Sequence, residues 1–327
     1  MPEKPLNIVV LDGYTLNPGD LSWDGFAKLG KITVHDRTSP EEIRQRIRGA
    51  QIVMTNKTPL TAETLNCPEA ADLRYIGVLA TGYNIVDVQA AKHRGIPVTN
   101  VPTYGTDSVA QIVFAHLLEI CHHVGAHDAA VRSGEWVSSK DYSFWHFPLI
   151  ELAGKKLGII GFGRIGARVA QIGQAFGMEI LVLDRQGRGQ REGLPYNFVS
   201  LETLYKTSDV ITLHCPQTPE TQGLICAESI SRMKDGVILL NMSRGGLINE
   251  QDLADSLRSG KIAAAGVDVL SAEPPMADNP LLTAPNLFIT PHIAWAPWEA
   301  RARLMEIAVE NLEHFLQGDP VNVVWGK

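Results

Sequence analysis

The chain has 327 residues, 45% of them hydrophobic and 20% charged, a globular composition whose length favours two domains. A net charge of −7, with 29 lysines and arginines in no dense cluster, argues against nucleic acid and anionic membranes as partners. Cys67, Cys121, Cys215 and Cys226 are scattered without a CxxC, and no basic-then-apolar leader or apolar run of about 18 residues occurs; reduced thiols in a cytoplasmic protein are expected.

In chain order, apolar runs at 7–12 (NIVVLD), 31–36 (KITVHD), 51–56 (QIVMTN), 75–80 (YIGVLA) and 97–101 (PVTNV) read as strands. Between them, 40–50 and 86–95 have helical spacing. Strands alternating with helices indicate parallel βαβ units. A long helical stretch, 107–134, follows. The alternation then restarts at 157–161 (LGIIG), 179–184 (EILVLD), 209–214 (DVITLH), 236–242 (GVILLNM), 263–270 (AAAGVDVL) and 287–292 (LFITPH). An amphipathic helix at 297–318 closes the chain. The pattern predicts two domains connected twice, near 102–106 and 294–298, with ligands expected in a cleft between them.

The most specific motif is 155–184. A strand runs into Gly161-Phe162-Gly163-Arg164-Ile165-Gly166, a helix follows, and a second strand ends in Asp184. Gly161 permits the tight turn, Gly163 lets the backbone approach a pyrophosphate, and Gly166 lets the helix pack close to the sheet. Free N–H groups at the helix start suit phosphates. Ile165, Val169, Ile172 and Phe176 are expected to form the helix's buried face. Asp184 suits the adenosine ribose hydroxyls and would repel a 2′-phosphate, which favours NAD over NADP, with Arg185 beside it leaving some tolerance. The first half lacks this motif and is expected to carry the substrate.

Arg244, Glu273 and His292 stand at or just after strand ends, where a doubly wound fold gathers ligands. Arg244 offers a planar fork of donors for a carboxylate and adjacent carbonyl. His292 suits proton donation to that oxygen, and Glu273 suits stabilising and orienting the imidazolium. Asp268 is a candidate acceptor for the nicotinamide carboxamide. Other features are expected to be bland. His123 and His127 lie one helical turn apart without an evident third ligand, so no metal is expected. Cys215, beside His214, lacks the partners of a nucleophile. Trp295 reads equally as an active-site wall or as packing at the hinge.

At these residues the sequence resembles the D-isomer-specific 2-hydroxyacid dehydrogenase family over nearly its whole length. The motifs are 78–111, 153–166, 212–225, 237–253, 266–275 and 290–296, with the glycerate dehydrogenase, or hydroxypyruvate reductase, branch the best match. The resemblance implies that Arg244, Glu273 and His292 are catalytic. It implies substrate contacts at Asn56, Lys57, Thr81 and Gly82, the turn at Ala80–Gly82 holding the carboxylate through backbone N–H groups. On the cofactor side it implies Thr106, Arg164, Ile165, Asp184, His214, Pro216, Thr218, Met242 and Asp268, besides the three glycines. Tyr83-Asn84 and Gln111 depart from the common family pattern, which bears on substrate identity more than on reaction type.

The expected fold is α/β: two doubly wound parallel-sheet domains, a Rossmann cofactor domain (104–294) inserted into a flavodoxin-like substrate domain (1–103 and 295–327). The expected activity is hydride transfer between NAD(H) and a small D-2-hydroxy acid, D-glycerate/hydroxypyruvate first. Alternatives are a glyoxylate or bulkier 2-keto acid reductase, and a corepressor-like, NAD-regulated binding protein. A cytoplasmic homodimer is expected, paired through the cofactor domain and 107–133.

Overall fold

Short runs rich in Ile, Val and Leu become parallel strands with both faces covered, which is why their residues are buried almost without alternation. The computed structural model describes residues 5–187, 189–190 and 193–324. They divide into two units, Met1–Gly105 with Ala296–Lys327, and Thr106–Trp295.

The first unit holds β1 (Asn7–Val10), β2 (Lys31–Val34), β3 (Ile52–Thr55), β4 (Tyr75–Val78) and β5 (Val98–Thr99) in the order β2-β1-β3-β4-β5. All neighbours are parallel. This is the flavodoxin-like order, whose direction reverses between β1 and β3, so ligands are expected beyond the carboxyl ends of those strands. The helix Trp298–Leu316 completes this unit. Its Phe315 packs on Tyr75 with ring centroids 4.8 Å apart, and the buried Arg301 grips both carboxylate oxygens of Asp20 at 2.8 and 2.6 Å. Val324 then donates to the Val98 carbonyl at 2.9 Å.

The second unit holds β6 (Lys156–Ile160), β7 (Glu179–Leu183), β8 (Asn197–Val199), β9 (Val210–Leu213), β10 (Val237–Asn241), β11 (Ile262–Val267) and β12 (Leu287–Ile289). Their order is β12-β11-β10-β9-β6-β7-β8, again all parallel. From β8 to β11 this is the doubly wound dinucleotide order, reversing between β6 and β9. β8 is a three-residue edge strand absent from the sequence reading; it is too short to show a period.

Two local expectations are corrected. The helical stretch 107–134 is two helices, Thr106–His122 and Val124–Arg132, bent by 52°. The break is His123, left-handed at φ 46°, whose ring stacks on Phe147 at 4.1 Å. Among the described residues no single helix is long and apolar enough to cross a membrane. The buried face of the helix Arg164–Ala175 is Gly166, Val169, Ala170 and Gly173, while Phe176 is 39% exposed and stacks on Phe114. Small residues win because the helix lies close to the sheet: a Cβ on Gly173 would come within 2.8 Å of Leu157 and 3.0 Å of Ile180.

Candidate active site

Each glycine of the β6 turn has a distinct reason to be glycine. Gly161 has φ 104°, and a Cβ there would lie 2.4 Å from the His214 carbonyl carbon, at the end of β9. A Cβ on Gly166 would lie 2.1 Å from the Gly161 carbonyl oxygen. Gly163 is different: φ is −85° and a Cβ would meet no protein atom within 4 Å. Glycine at 163 is therefore not demanded by the protein's own packing, and the open space at a helix N-terminus fits a pyrophosphate. Arg164 is exposed and Ile165 half-buried at the start of that helix.

Asp184 directly follows β7. It is half-buried and accepts the N–H groups of Gln186 (3.3 Å) and Gly189 (2.7 Å). Thr106 begins the helix Thr106–His122, and His214, Pro216 and Thr218 follow β9. The His214 ring is paired with the Thr212 hydroxyl at 2.9 Å, and burial pushes its pKa down to about 4. Neutral imidazole there places no positive charge in the turn. The Met242 side chain is buried in the core, so a cofactor contact at this position falls to its backbone.

The two residues expected to handle the proton meet after β11 and β12. His292 Nδ1 lies 2.6 Å from Glu273 Oε2, with the two side chains 27% and 35% exposed. A carboxylate facing Nδ1 fixes the tautomer with Nδ1 protonated and leaves Nε2 to face a ligand. Glu273 Oε1 accepts the Leu270 N–H at 3.2 Å, so the carboxylate is itself oriented.

His292 has φ 55°, a conformation that costs a non-glycine residue about 1–2 kcal/mol. Asp268 offsets that cost. Its backbone carbonyl accepts the His292 N–H at 2.8 Å. Its carboxylate accepts the N–H groups of Ile293 (2.9 Å) and Ala294 (2.8 Å), and the Thr290 hydroxyl at 2.6 Å. Three successive N–H groups wrapped round one aspartate form a nest, which the left-handed residue makes possible. Asp268 is only 1% exposed, so its first task is to hold the histidine turn. Trp295 follows, half-buried.

Arg244 is exposed and follows β10. Its guanidinium donates to the Ser243 carbonyl at 2.7 Å. The wholly buried Asn241 staples the turn, donating to the Arg244 carbonyl at 2.8 Å and accepting from Ser243 N–H and Oγ.

In the first unit the carboxyl ends of β1, β3 and β4 carry the residues expected to recognise substrate. Asp12 accepts the N–H groups of Asn56 (2.8 Å), Lys57 (2.5 Å) and Thr58 (2.7 Å), and thereby shapes that loop. Lys57 is exposed. Asn56 is 4% exposed and its amide donates to the Leu79 carbonyl at 3.1 Å, so it also braces the start of the next turn. That turn, 80–82, is pinned by Asn100 to the Thr81 carbonyl (2.7 Å), by Thr81 Oγ1 to Val101 (2.9 Å) and by Val101 N–H to Ala80 (3.0 Å). The N–H groups of Thr81 and Gly82 have no acceptor among the described residues, as an anion-binding turn requires.

The sequence reading missed Asp12, Asn241 and the bracing role of Asp268. Their signal was weak: a polar residue at or just after the carboxyl end of an apolar run.

The helical-turn pair His123 and His127 has local partners. His127 Nδ1 faces the carbonyls of His122 and His123, and its Nε2 accepts from His146 N–H. Burial pushes the Cys215 thiol up, away from thiolate.

Comparison with known proteins places this geometry. The family model described as D-isomer specific 2-hydroxyacid dehydrogenase, NAD binding domain, matches residues 114–294. The chain is 58% identical over 323 residues to a hydroxypyruvate reductase of Blautia hydrogenotrophica, covering 98% of this chain and 99% of that one. It is 42% identical over 288 residues to a glycerate dehydrogenase of Methylorubrum extorquens, covering 88% and 89%. Among solved structures, a protein from Thermus thermophilus superposes with a TM-score of 0.82 at 35% identity, covering 98% and 100%.

Proposed function

Since the chain belongs to the D-isomer specific 2-hydroxyacid dehydrogenase family, with NAD(H) as its cofactor, we propose that it interconverts D-glycerate and hydroxypyruvate. The observation that carries the reading is the 2.6 Å His292–Glu273 pair, set on the same unit as the dinucleotide turn. The names of the relatives support the substrate pair.

When bound, the nicotinamide would supply hydride for keto-acid reduction and, in its oxidised form, accept it in the reverse direction. The N–H groups beyond Gly161 and Gly163, with Arg164 and Ile165 at the helix start, would hold the cofactor's pyrophosphate, and Asp184 its adenosine ribose. Thr106, His214, Pro216, Thr218 and the Met242 backbone would complete the cofactor contacts, and Asp268 would be an acceptor for the nicotinamide carboxamide.

His292 Nε2 delivers a proton to the keto oxygen during reduction and recovers it in oxidation. Glu273 stabilises the charged ring and keeps Nδ1 protonated. Arg244 exchanges its bond to the Ser243 carbonyl for the substrate carboxylate and carbonyl oxygen, a charge-assisted and planar match. Lys57 and the N–H groups of Thr81 and Gly82 are assigned to substrate recognition, with Asn56 behind them.

We place the protein in the cytoplasm, a reading supported by its four free cysteines, with neither nucleic acid nor membrane as a partner. We further propose a homodimer paired through the cofactor unit, its helical segment 107–133 and the stretch that follows it to 149. Val137 and Tyr142 are each 91% exposed there, beside Trp136, Trp145 and Leu149, a concentration of apolar surface that a second copy would cover.

The test is oxidation of NADH followed at 340 nm with hydroxypyruvate, glyoxylate, pyruvate and bulkier 2-keto acids, repeated with NADPH. The highest kcat/KM is expected for hydroxypyruvate with NADH. A higher value for glyoxylate or a bulkier acid would reassign the substrate, and no turnover with any would favour a binding protein.

A further inference from the structure

One buried titratable side chain has no part in the mechanism above. His116 lies on the helix Thr106–His122, is 5% exposed, and points at the catalytic turn from behind. Its Nε2 is 2.9 Å from Thr290 Oγ1. The Thr290 hydroxyl has one hydrogen, and that hydrogen goes to Asp268 Oδ1 at 2.6 Å. Toward His116 the hydroxyl can therefore only accept, so Nε2 carries the ring proton. Nδ1 is left bare and buried, without a partner among the described residues.

The seat of this ring is closely fitted. A Cβ on Gly266 of β11 would lie 2.8 Å from His116 Nδ1 and 2.9 Å from His116 Cβ, so glycine at 266 is what admits the imidazole. Burial lowers the His116 pKa while the Asp268 charge opposes it. A buried histidine that keeps one nitrogen unpaired is a poor choice for packing alone, because an apolar side chain of that volume would incur no desolvation penalty.

We propose that His116 is a positioning residue for the reaction: its Nε2–H fixes the Thr290 hydroxyl toward Asp268, and so holds the carboxylate around which the His292 turn is wrapped. The inference rests on the reading of His292 as the acid–base group. The hydrogen bonds run in one direction, from His116 through Thr290 to Asp268, and Asp268 then gathers the N–H groups of residues 292–294. Without the His116 donor the Thr290 hydroxyl is free to turn, the carboxylate loses a fixed donor, and the His292 ring spreads over more positions. Displacements of that kind lower turnover more than binding, because alignment matters most in the transition state.

The test compares His116→Met, which fills the space without a donor, with His116→Gln, whose amide reaches the same place and donates. His116→Met is expected to lower kcat about tenfold, with KM for hydroxypyruvate within about threefold of the parent value. Its Tm should equal or exceed the parent's, since the unpartnered nitrogen is gone. His116→Gln should recover most of kcat. Thr290→Val should lose a similar factor, and the His116→Met/Thr290→Val pair no more than Thr290→Val alone, because both break one chain.

His292→Asn is measured alongside. If it turns over near the parent rate, the acid–base reading fails. If it loses more than about a hundredfold while His116→Met keeps the parent kcat, the positioning role is overturned. Loss of kcat in His116→Met that tracks a loss of Tm, or that His116→Gln does not restore, also overturns it.

Discussion

The backbone of Gly245 lies against the Leu270–Ser271 peptide so closely that a Cβ on Gly245 would sit 2.0 Å from the Leu270 carbonyl carbon and 2.4 Å from the Ser271 nitrogen. Arg244 precedes the one segment and Glu273 follows the other. The contact therefore sets the spacing of the two turns that carry these candidate residues, which are far apart in the chain.

Replacing Gly245 with alanine should force these turns apart. Overpacking of this kind destabilises by about 1–3 kcal/mol, and kcat/KM should fall at least about tenfold as Arg244 and Glu273 lose register. Urea melts and steady-state kinetics check both. Parent-like kinetics in a folded Gly245→Ala protein would show that the spacing is not needed.

Gly163→Ala makes the opposite expectation, because its Cβ would meet no protein atom within 4 Å. Tm should stay within about 2 °C of the parent, while the NADH Kd, read by fluorescence titration, rises about tenfold where the methyl group meets pyrophosphate. Unchanged NADH affinity would remove the phosphates from this turn.

Asp184→Ala should weaken NADH and raise the relative kcat/KM for NADPH, because it removes a ribose acceptor and a charge that repels a 2′-phosphate. The same substitution frees the N–H groups of Gln186 and Gly189, so the loop after β7 should relax as well. A parent enzyme that already prefers NADPH would sink the assignment.

The positions of many candidate site residues were legible in the sequence. The glycine turn and Asp184 are local in the chain, and Arg244, Glu273 and His292 each follow a readable strand. Other parts were not legible, for physical reasons. His116 and Thr290 are 174 positions apart, and only the packing of a helix on β11 brings them together. The loop position of Asn56 gave no sign that its buried amide braces the Leu79 carbonyl. Phe176 fitted the helical period, yet close packing of the helix on the sheet selected glycine and alanine for the buried side.

Acid should weaken the fold through His214. Its folded pKa, pushed by burial to about 4, lies below the unfolded value near 6.5. Between those values the unfolded chain binds the extra proton, so stability is whole above pH 6.5 and declines as pH falls toward 4. His116 shifts in the same direction. His214→Gln should flatten this decline, by up to about 3 kcal/mol for the stated shift, in urea melts at pH 7.5, 6 and 5. An unaltered slope would mean that His214 titrates alike in both states.

Val137→Asp combined with Tyr142→Lys should leave the cofactor unit folded and convert the proposed dimer to monomer, measured by light scattering after gel filtration. These side chains are nearly fully exposed, so charge is tolerated in the free chain and rejected in an interface. A parent protein that is already monomeric would remove the proposal.

The route of the chain also dictates an order of assembly. Residues of the second unit are contiguous, from Thr106 to Trp295, whereas the first unit is interrupted by them. During synthesis Asp20 emerges early and waits for Arg301, Tyr75 waits for Phe315, and Val98 waits for Val324. The nucleotide-binding part can thus mature on the ribosome while the amino-terminal sheet is still without its closing helix. Cutting between Leu316 and Val324 would injure a sheet made before the nucleotide-binding part, and should loosen β5 rather than the glycine turn.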